Sequence, residues 1–268
     1  MRKQIRRKEL IKKNIPLILM SLPALVVLIM FNYVPMFGLT LAFEDYNYAD
    51  GIFKSPKVGL QNFKYIFASG DIARTIGNTV AYHVAQTILI LVVSVALAVL
   101  LFFVRSKRVS RIYQKNIIVP YLLSYVIISY IVNIFLNSEY GLVNRMLEHF
   151  GKEAVSWYTT PVYWPFILVG IQIWFGAGIK SIYYYGALMN IDEALFEAAD
   201  LDGASHWFKI RKIMLPALAP TICIFLILDL GKILESAFGL FYSVPMDSSA
   251  LYSVTDVLST YTYRGLMS

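Results

Sequence analysis

The sequence predicts an all-α, polytopic membrane protein with five transmembrane helices, and three observations support that fold class. Of the 268 residues, 58% are hydrophobic and only 15% are charged, which leaves too few polar side chains to cover a water-soluble globule. The apolar residues form long uncharged runs. The net charge of +7 lies in the short segments that flank these runs, a distribution that argues against a nucleic-acid-binding protein.

The membrane spans follow from the uncharged runs, because a helix that crosses the bilayer needs about 20 apolar residues. Such runs cover residues 15–43, 75–104, 116–138, 154–179 and, more weakly, 213–228. Within them we predict spans near residues 15–37, 80–103, 116–136, 161–181 and 214–235. The first run lacks a clear small-residue cleavage site, so we expect a retained span and not a signal peptide. Residues 1–14 form a basic N-terminal segment, and residues 15–268 form the transmembrane domain.

The orientation follows from lysine and arginine, which are retained on the cytoplasmic side of short loops. Seven of these residues precede the first span, five lie in the loop at 105–115 and four lie between residues 180 and 216. The intervening segments carry four over residues 38–79 and two over residues 137–161. We therefore expect a cytoplasmic N-terminus and a cytoplasmic loop at 182–216.

The loop at 182–216 has the pattern of two short helices joined by a glycine. Asp192 is placed to cap a helix whose first turn carries Glu193, where an acid favours the helix dipole. Gly203 can end this helix at positive φ. A second amphipathic segment at 207–214 follows before Pro216 opens the fifth span. A small helix of this kind suits insertion into a groove on another protein.

The same loop carries a specific motif. Glu197-Ala198-Ala199 is followed by Asp202-Gly203-Ala204 and then by Ile213, Leu215 and Pro216. These residues and spacings resemble the EAA loop of the inner-membrane permeases of binding-protein-dependent ABC importers. The segments at 33–39 (YVPMFGL), 42–46 (AFEDY), 59–63 (GLQNF) and 256–266 (DVLSTYTYRGL) are similar to the sugar-permease branch, and most to permeases that import complex oligosaccharides.

The resemblance implies a translocation pathway for a sugar delivered by an extracellular binding protein, lipid-anchored or soluble. It also implies a second permease, usually a different chain, and two ATP-binding subunits that hold ATP and Mg²⁺, in a bacterial cell membrane. A sixth span, usual in this family, is absent from the chain. The residues implied to couple to the ATPase are Glu197, Ala198, Ala199, Asp202, Gly203 and Ala204, with Gly203 as the bend.

The chain itself is not expected to be an enzyme or to bind a cofactor. A phosphate-binding loop needs Gly-x-x-x-x-Gly-Lys-Ser/Thr after a strand, and the nearest approach, at 176–181, lacks the glycine before Lys180 and ends a predicted span. His83, His149 and His206 are far apart and differ in predicted depth or side, so no metal site is predicted.

Polar side chains inside spans are candidates for the substrate pathway, because they are costly in hydrocarbon. Asp229, Lys232 and Glu235 follow one another at three-residue spacing in the fifth span. They could contact sugar hydroxyls, or Asp229 and Lys232 could form an ion pair that packs helices. Further candidates in the third and fourth spans are Asn133, Gln172 and Trp174.

Two other classes of membrane protein are possible alternatives. An ion-coupled secondary transporter or a channel would use the charged fifth span as its ion site, but it leaves the loop motif unexplained. A membrane-embedded enzyme would need a nucleophile with a base, or a metal cluster, within the spans. The sequence offers neither of these.

Overall fold

The computed structural model describes residues 2–47, 49–51 and 54–267, with side chains from residue 14 onward. The described residues are helical apart from turns, loops and one antiparallel bridge between Glu44 and Lys57, which confirms the all-α prediction. They divide into two compact units, Met1–Ile72 and Ala73–Ser268. The α-helices are α1 (Arg2–Leu28), α2 (Gln61–Ala68), α3 (Gly70–Phe102), α4 (Lys107–Ile118), α5 (Tyr125–Leu136), α6 (Leu142–His149), α7 (Trp164–Leu188), α8 (Glu193–Leu201), α9 (His206–Lys209), α10 (Leu215–Leu230), α11 (Phe238–Ser243), α12 (Tyr252–Thr255) and α13 (Leu258–Met267).

Four continuous helical segments of the described chain are long and apolar enough to cross a membrane. They are Asn14–Phe43, Gly70–Phe102, Pro161–Leu188 and His206–Leu230, and they correspond to the predicted spans one, two, four and five. The fifth begins eight residues earlier than predicted and stops at Leu230, where Gly231 starts a non-helical turn. Lys232 and Glu235 therefore lie beyond the helix, not within it.

The third predicted span is bent. The segments Lys107–Leu122 and Tyr125–Leu136 meet at 96°, so the span predicted at 116–136 extends across a sharp break. Pro120 lies in a 3₁₀ turn, and the Ser124 hydroxyl caps α5 by accepting the N–H of Ile127 at 3.3 Å. A proline followed by a capping serine ends one helix and begins another. The stretch at 105–115, predicted as a loop, forms most of α4.

A stretch of small residues in α7 brings neighbouring helices close. Ser94 of α3 donates to the backbone oxygen of Ala177 at 3.1 Å. A Cβ on Gly178 would lie 1.7 Å from the backbone oxygen of Ile117 in α4, so only glycine fits this crossing. Small residues permit such close approach between membrane helices. Residues 176–181 thus lie well inside α7, which continues to Leu188, and not at the end of a span.

The segment after Glu235 contributes much of one core, although its sequence is mixed and polar. Trp164 and Leu168 of α7 are fully buried there, together with Tyr82 and Ile128. The remaining buried members of this core come from the last segment and are Leu240, Phe241, Val244, Leu251 and Val257. A second core lies toward the other end of α7 and comprises Ala98, Val99, Tyr184, Leu188, Met214 and Leu218.

Candidate functional site

The loop between α7 and the fifth span folds as predicted into two helical segments joined at Gly203. The Asp192 carboxylate accepts the N–H of Ala194 at 3.0 Å and caps α8. Gly203 has φ of +71°, and the N–H of Ala204 donates to the oxygen of Ala199 at 2.9 Å. Such backbone bonding around a positive-φ glycine is typical of a helix C-terminus.

The second helical segment of the loop is not separate from the fifth span. Ser205 caps α9 by accepting the N–H of Phe208 at 3.3 Å. The chain then passes through a π-helical turn at Ile210–Met214 into α10, and Pro216 lies in the first turn of α10. α9 and α10 therefore belong to one continuous helical segment, His206–Leu230.

Aromatic contacts attach the loop to the end of α3. The ring of Phe196 in α8 lies 5.1 Å from that of Phe102, and the His206 imidazole stacks on Phe103 at 5.0 Å. An ion pair between Lys209 and Asp200 joins the two sides of the loop. The loop is thus positioned by three contacts of different chemistry, none of which the sequence motif indicates.

The outer surface of this loop, which we call the coupling surface, is a groove of about 650 Å³. Ala199 is 8% exposed and forms its floor. Glu197 and Asp202 are exposed, and neither carboxylate forms an ion pair with another described residue. The groove is lined by Leu195, Ala198, Ala199, Asp202, Gly203, Ala204, Ser205 and Phe208.

Large apolar side chains at and around the groove are exposed. Leu201 is 90% exposed and Trp207 is 68% exposed, while Leu195 and Phe208 are about half exposed. An apolar patch rimmed by polar residues marks an interaction site. The coupling surface therefore has the shape and the chemistry of a protein-docking surface.

A second site is a cavity of about 410 Å³ formed by α3, α7, α10 and the turn that follows α10. Four of the predicted pathway residues line it: Gln172, Asp229, Lys232 and Glu235. Asn133 and Trp174 lie outside its lining. Asn133 is bonded to Tyr140 and Met246, and Trp174, two positions from Gln172 on α7, is 48% exposed.

The ion pair in this cavity differs from the predicted one. Asp229 pairs with Lys180 of α7 at 2.6 Å, and its backbone oxygen lies 2.8 Å from Nε2 of His83. Lys232 instead lies 3.8 Å from Glu235, with both side chains largely exposed. Of the two alternatives, the Asp229–Lys232 ion pair is not formed, because α10 ends at Leu230 and the helical three-residue spacing is not maintained.

The cavity offers hydrogen-bonding groups as well as paired charges. The Gln86 amide nitrogen is buried without a hydrogen-bond partner among the described residues. The oxygen of Gln172 accepts from the Tyr125 hydroxyl at 2.9 Å, which leaves its amide nitrogen available. Aromatic rings of Tyr121, Phe175 and Tyr183 complete the wall. Amide donors beside aromatic faces can bind a polyhydroxylated ligand.

Comparison with known proteins gives matches over up to 98% of the chain. The family described as "Binding-protein-dependent transport system inner membrane component" matches residues 90–242. The "Polygalacturonan/rhamnogalacturonan transport system permease protein YteP" of Bacillus subtilis (strain 168) is 31% identical over 264 residues, which is 97% of this chain and 82% of that protein.

Two solved structures share the fold. One is the "Crystal structure of a bacterial ABC transporter involved in the import of the acidic polysaccharide alginate", with a TM-score of 0.88, 34% identity and coverage of 98% of this chain and 88% of that chain. The other is the "Crystal structure of bacterial alginate ABC transporter in complex with alginate pentasaccharide-bound periplasmic protein", with a TM-score of 0.86, 34% identity and coverage of 97% and 86%.

Proposed function

The chain belongs to the family of binding-protein-dependent transport system inner membrane components, and from this premise we propose that it forms half of the membrane pathway of an ATP-driven oligosaccharide importer. A second permease, usually a different chain in this family, supplies the other half. Two ATP-binding subunits hold ATP and Mg²⁺ and hydrolyse the nucleotide. An extracellular binding protein, lipid-anchored or soluble, delivers the sugar; one of the similar crystal structures is of an alginate transporter in complex with an alginate pentasaccharide-bound periplasmic protein.

The observation that carries this proposal is the coupling surface. A groove floored by Ala199, with exposed leucine, tryptophan and phenylalanine around it, suits contact with a protein partner. The partner that we assign to it is an ATP-binding subunit, whose surface would take up α8 and present polar or cationic groups to Glu197 and Asp202. Ala198 stands on the rim, Ala204 lines the wall, and Gly203 sets the bend.

The cytoplasmic location of the coupling surface is supported by the distribution of charge. Arg105 shares a cavity with loop residues Glu193 and His206, so the basic start of α4 lies at the same end of the molecule as the coupling surface. Basic segments of this kind remain in the cytoplasm. The N-terminus, with seven basic residues before the first span, is assigned to the same side.

The pathway for the sugar is assigned to the cavity around Lys180 and Asp229. Because this cavity lies between α7 and α10, and α10 continues from the coupling surface, movement of the ATP-binding subunits would change its shape. Similar proteins that are named for a substrate include transporters of polygalacturonan, rhamnogalacturonan and alginate. These names support an oligosaccharide derived from a polysaccharide as the substrate class.

Docking is tested by placing a bulky cation in the groove. The complex is purified in mild detergent from native membranes, and its subunits are counted by mass spectrometry. Ala198→Arg should lose the ATP-binding subunits while the second permease stays bound. Asn190→Arg places the same side chain on an exposed position just before α8 and outside the groove, and it should leave the complex intact. Undiminished recovery of the ATP-binding subunits with Ala198→Arg would refute the assignment of this surface.

A further inference from the structure

Beyond the family motif, the loop contains a buried cation whose place suggests a role in transmitting motion. We propose that Lys209 is a positioning residue of the coupling surface. Its ion pair with Asp200 fixes α8 to the helix that continues into α10, so that the two move together. This inference rests on the proposed function, because it concerns how the docking of an ATP-binding subunit at α8 is transmitted to the cavity.

The burial of Lys209 is unusual for a lysine. Its side chain is 7% exposed, whereas that of its partner Asp200 is 65% exposed. Lysine is almost never this buried without a partner, because removing an ammonium group from water costs several kcal/mol unless a counter-charge lies nearby. Asp200 is the single side chain among the described residues that forms an ion pair with Lys209. The pair is thus required for the ammonium group to occupy this position.

The pair also bridges the bend between α8 and α9. Asp200 lies in the last turn of α8, and Lys209 ends α9, with Gly203 between them at φ of +71°. The backbone at this bend is held by hydrogen bonds that include the one from the N–H of Ala204 to the oxygen of Ala199. The ion pair adds a side-chain restraint on the angle between α8 and α9.

From Lys209 the path to the cavity is covalent and helical. The π-helical turn at Ile210–Met214 leads into α10, and Asp229 near the end of α10 pairs with Lys180 in the cavity. Because α9, the π-helical turn and α10 form one continuous helical segment, motion of α8 would reach the cavity without crossing a loop. A secondary element that two sites share can carry coupling between them.

The test measures coupling without requiring knowledge of the sugar. Cys223 is the single cysteine of the chain, so a Cys223→Ser, Thr87→Cys background places one thiol at the cavity lining. In the purified complex, the rate at which a maleimide labels this thiol is compared with and without a non-hydrolysable ATP analogue and Mg²⁺. With Lys209 present, we expect nucleotide to change the rate by about fivefold or more, the low end of typical coupling factors.

Four variants separate coupling from simple stabilisation. Lys209→Met keeps the apolar bulk and leaves only a solvent-exposed carboxylate unpaired, so the complex should assemble but its labelling rate should no longer respond to nucleotide. Lys209→Arg should retain the response. Lys212→Met removes an exposed cation one turn later and should have no effect. Asp200→Asn leaves a buried ammonium group without a counter-charge and should lower the yield of folded chain.

The outcomes are decisive in each case. A normal nucleotide response in assembled Lys209→Met would overturn the inference. If Lys209→Met does not assemble, the exchanged pair Asp200→Lys with Lys209→Glu decides, since a restored response supports the inference and an absent one overturns it. Failure of the proposed function looks different, because the chain with Lys209 intact would then neither retain ATP-binding subunits nor respond to nucleotide.

Discussion

Substitution of Gly178 by alanine tests the helix crossing that shapes the membrane domain. The added Cβ would lie 1.7 Å from the backbone oxygen of Ile117 and 2.7 Å from its carbonyl carbon. Ordinary van der Waals contact begins at 3.4 Å, so α4 and α7 would have to separate locally by about 1.7 Å. This separation is a substantial fraction of the interaxial distance of about 8–10 Å between packed helices. The obstructing atom belongs to the backbone and cannot move by rotating a side chain.

The expected cost lies at the upper end of the range for overpacking, about 3 kcal/mol. Alanine recovers up to about 1 kcal/mol through its higher helix propensity, which leaves a net loss of about 2 kcal/mol. For a chain of this size such a loss lowers the melting temperature by about 4–8 °C. Thermal unfolding in detergent, followed by tryptophan fluorescence, measures this shift.

Gly186→Ala in the same helix is the matched control. A Cβ at Gly186 meets no atom within 4 Å, so this variant should gain about 0.5–1 kcal/mol from helix propensity. The two substitutions are chemically identical and differ only in what the new methyl group meets. If Gly178→Ala unfolds at or above the wild-type temperature, the close approach of α4 to α7 is refuted.

Three further substitutions test the coupling surface, the cavity and an outer loop. Gly203→Val places a β-branched residue at φ of +71°, which strains the backbone by about 1–2 kcal/mol or more. This variant should uncouple ATP hydrolysis from import while membrane insertion is preserved, and unchanged transport per ATP would contradict this role. Asp229→Asn leaves Lys180 without its counter-charge and should cost about 2 kcal/mol, less than for a fully buried pair because both side chains are about a quarter exposed. Its monodisperse yield should recover when Lys180→Met is added, and a lack of recovery would show that the pair is not what stabilises the site. Asn144→Ala removes four hydrogen bonds, one of them from the indole of Trp157 at 2.8 Å, and should destabilise the loop by about 2 kcal/mol or more. Trp157 fluorescence that does not shift to the red would argue against these hydrogen bonds of Asn144.

Much of the fold could be predicted because bilayer thickness sets the minimum length of an apolar run that can form a transmembrane helix. The helix cap at Asp192 and the bend at Gly203 were predicted correctly for a similar reason. Both depend on local chemistry, namely a carboxylate placed two residues before a free N–H group and a glycine at positive φ. Such local features need no knowledge of distant residues.

The parts that could not be predicted depend on contacts between distant residues. Lys180 and Asp229 are 49 positions apart, and nothing near Asp229 in sequence indicates that α7 supplies its partner. Leu240 and Phe241 are fully or almost fully buried within a segment of mixed composition, because α5 and α7 cover them. Pro120 and Ser124 indicate the bend before Tyr125. The uncharged run that extends across both residues nevertheless favoured a single membrane span near 116–136.

The coupling residues show the same division. The motif located Ala198 and Gly203 correctly on an exposed loop, yet it gave no indication that Lys209 and Asp200 form a pair or that Phe103 stacks on His206. Opposite charges nine residues apart across a glycine are a weak signal by themselves. They become informative only when burial of the lysine is known.

Under the proposed function, this chain moves a sugar only when ATP-binding subunits act on its coupling surface. The most direct test is uptake into proteoliposomes that contain the complete complex, with the loaded binding protein outside and ATP inside. We expect oligosaccharide uptake that requires ATP, the binding protein and the ATP-binding subunits together. Uptake by this chain alone, driven by an ion gradient and indifferent to ATP, would contradict it.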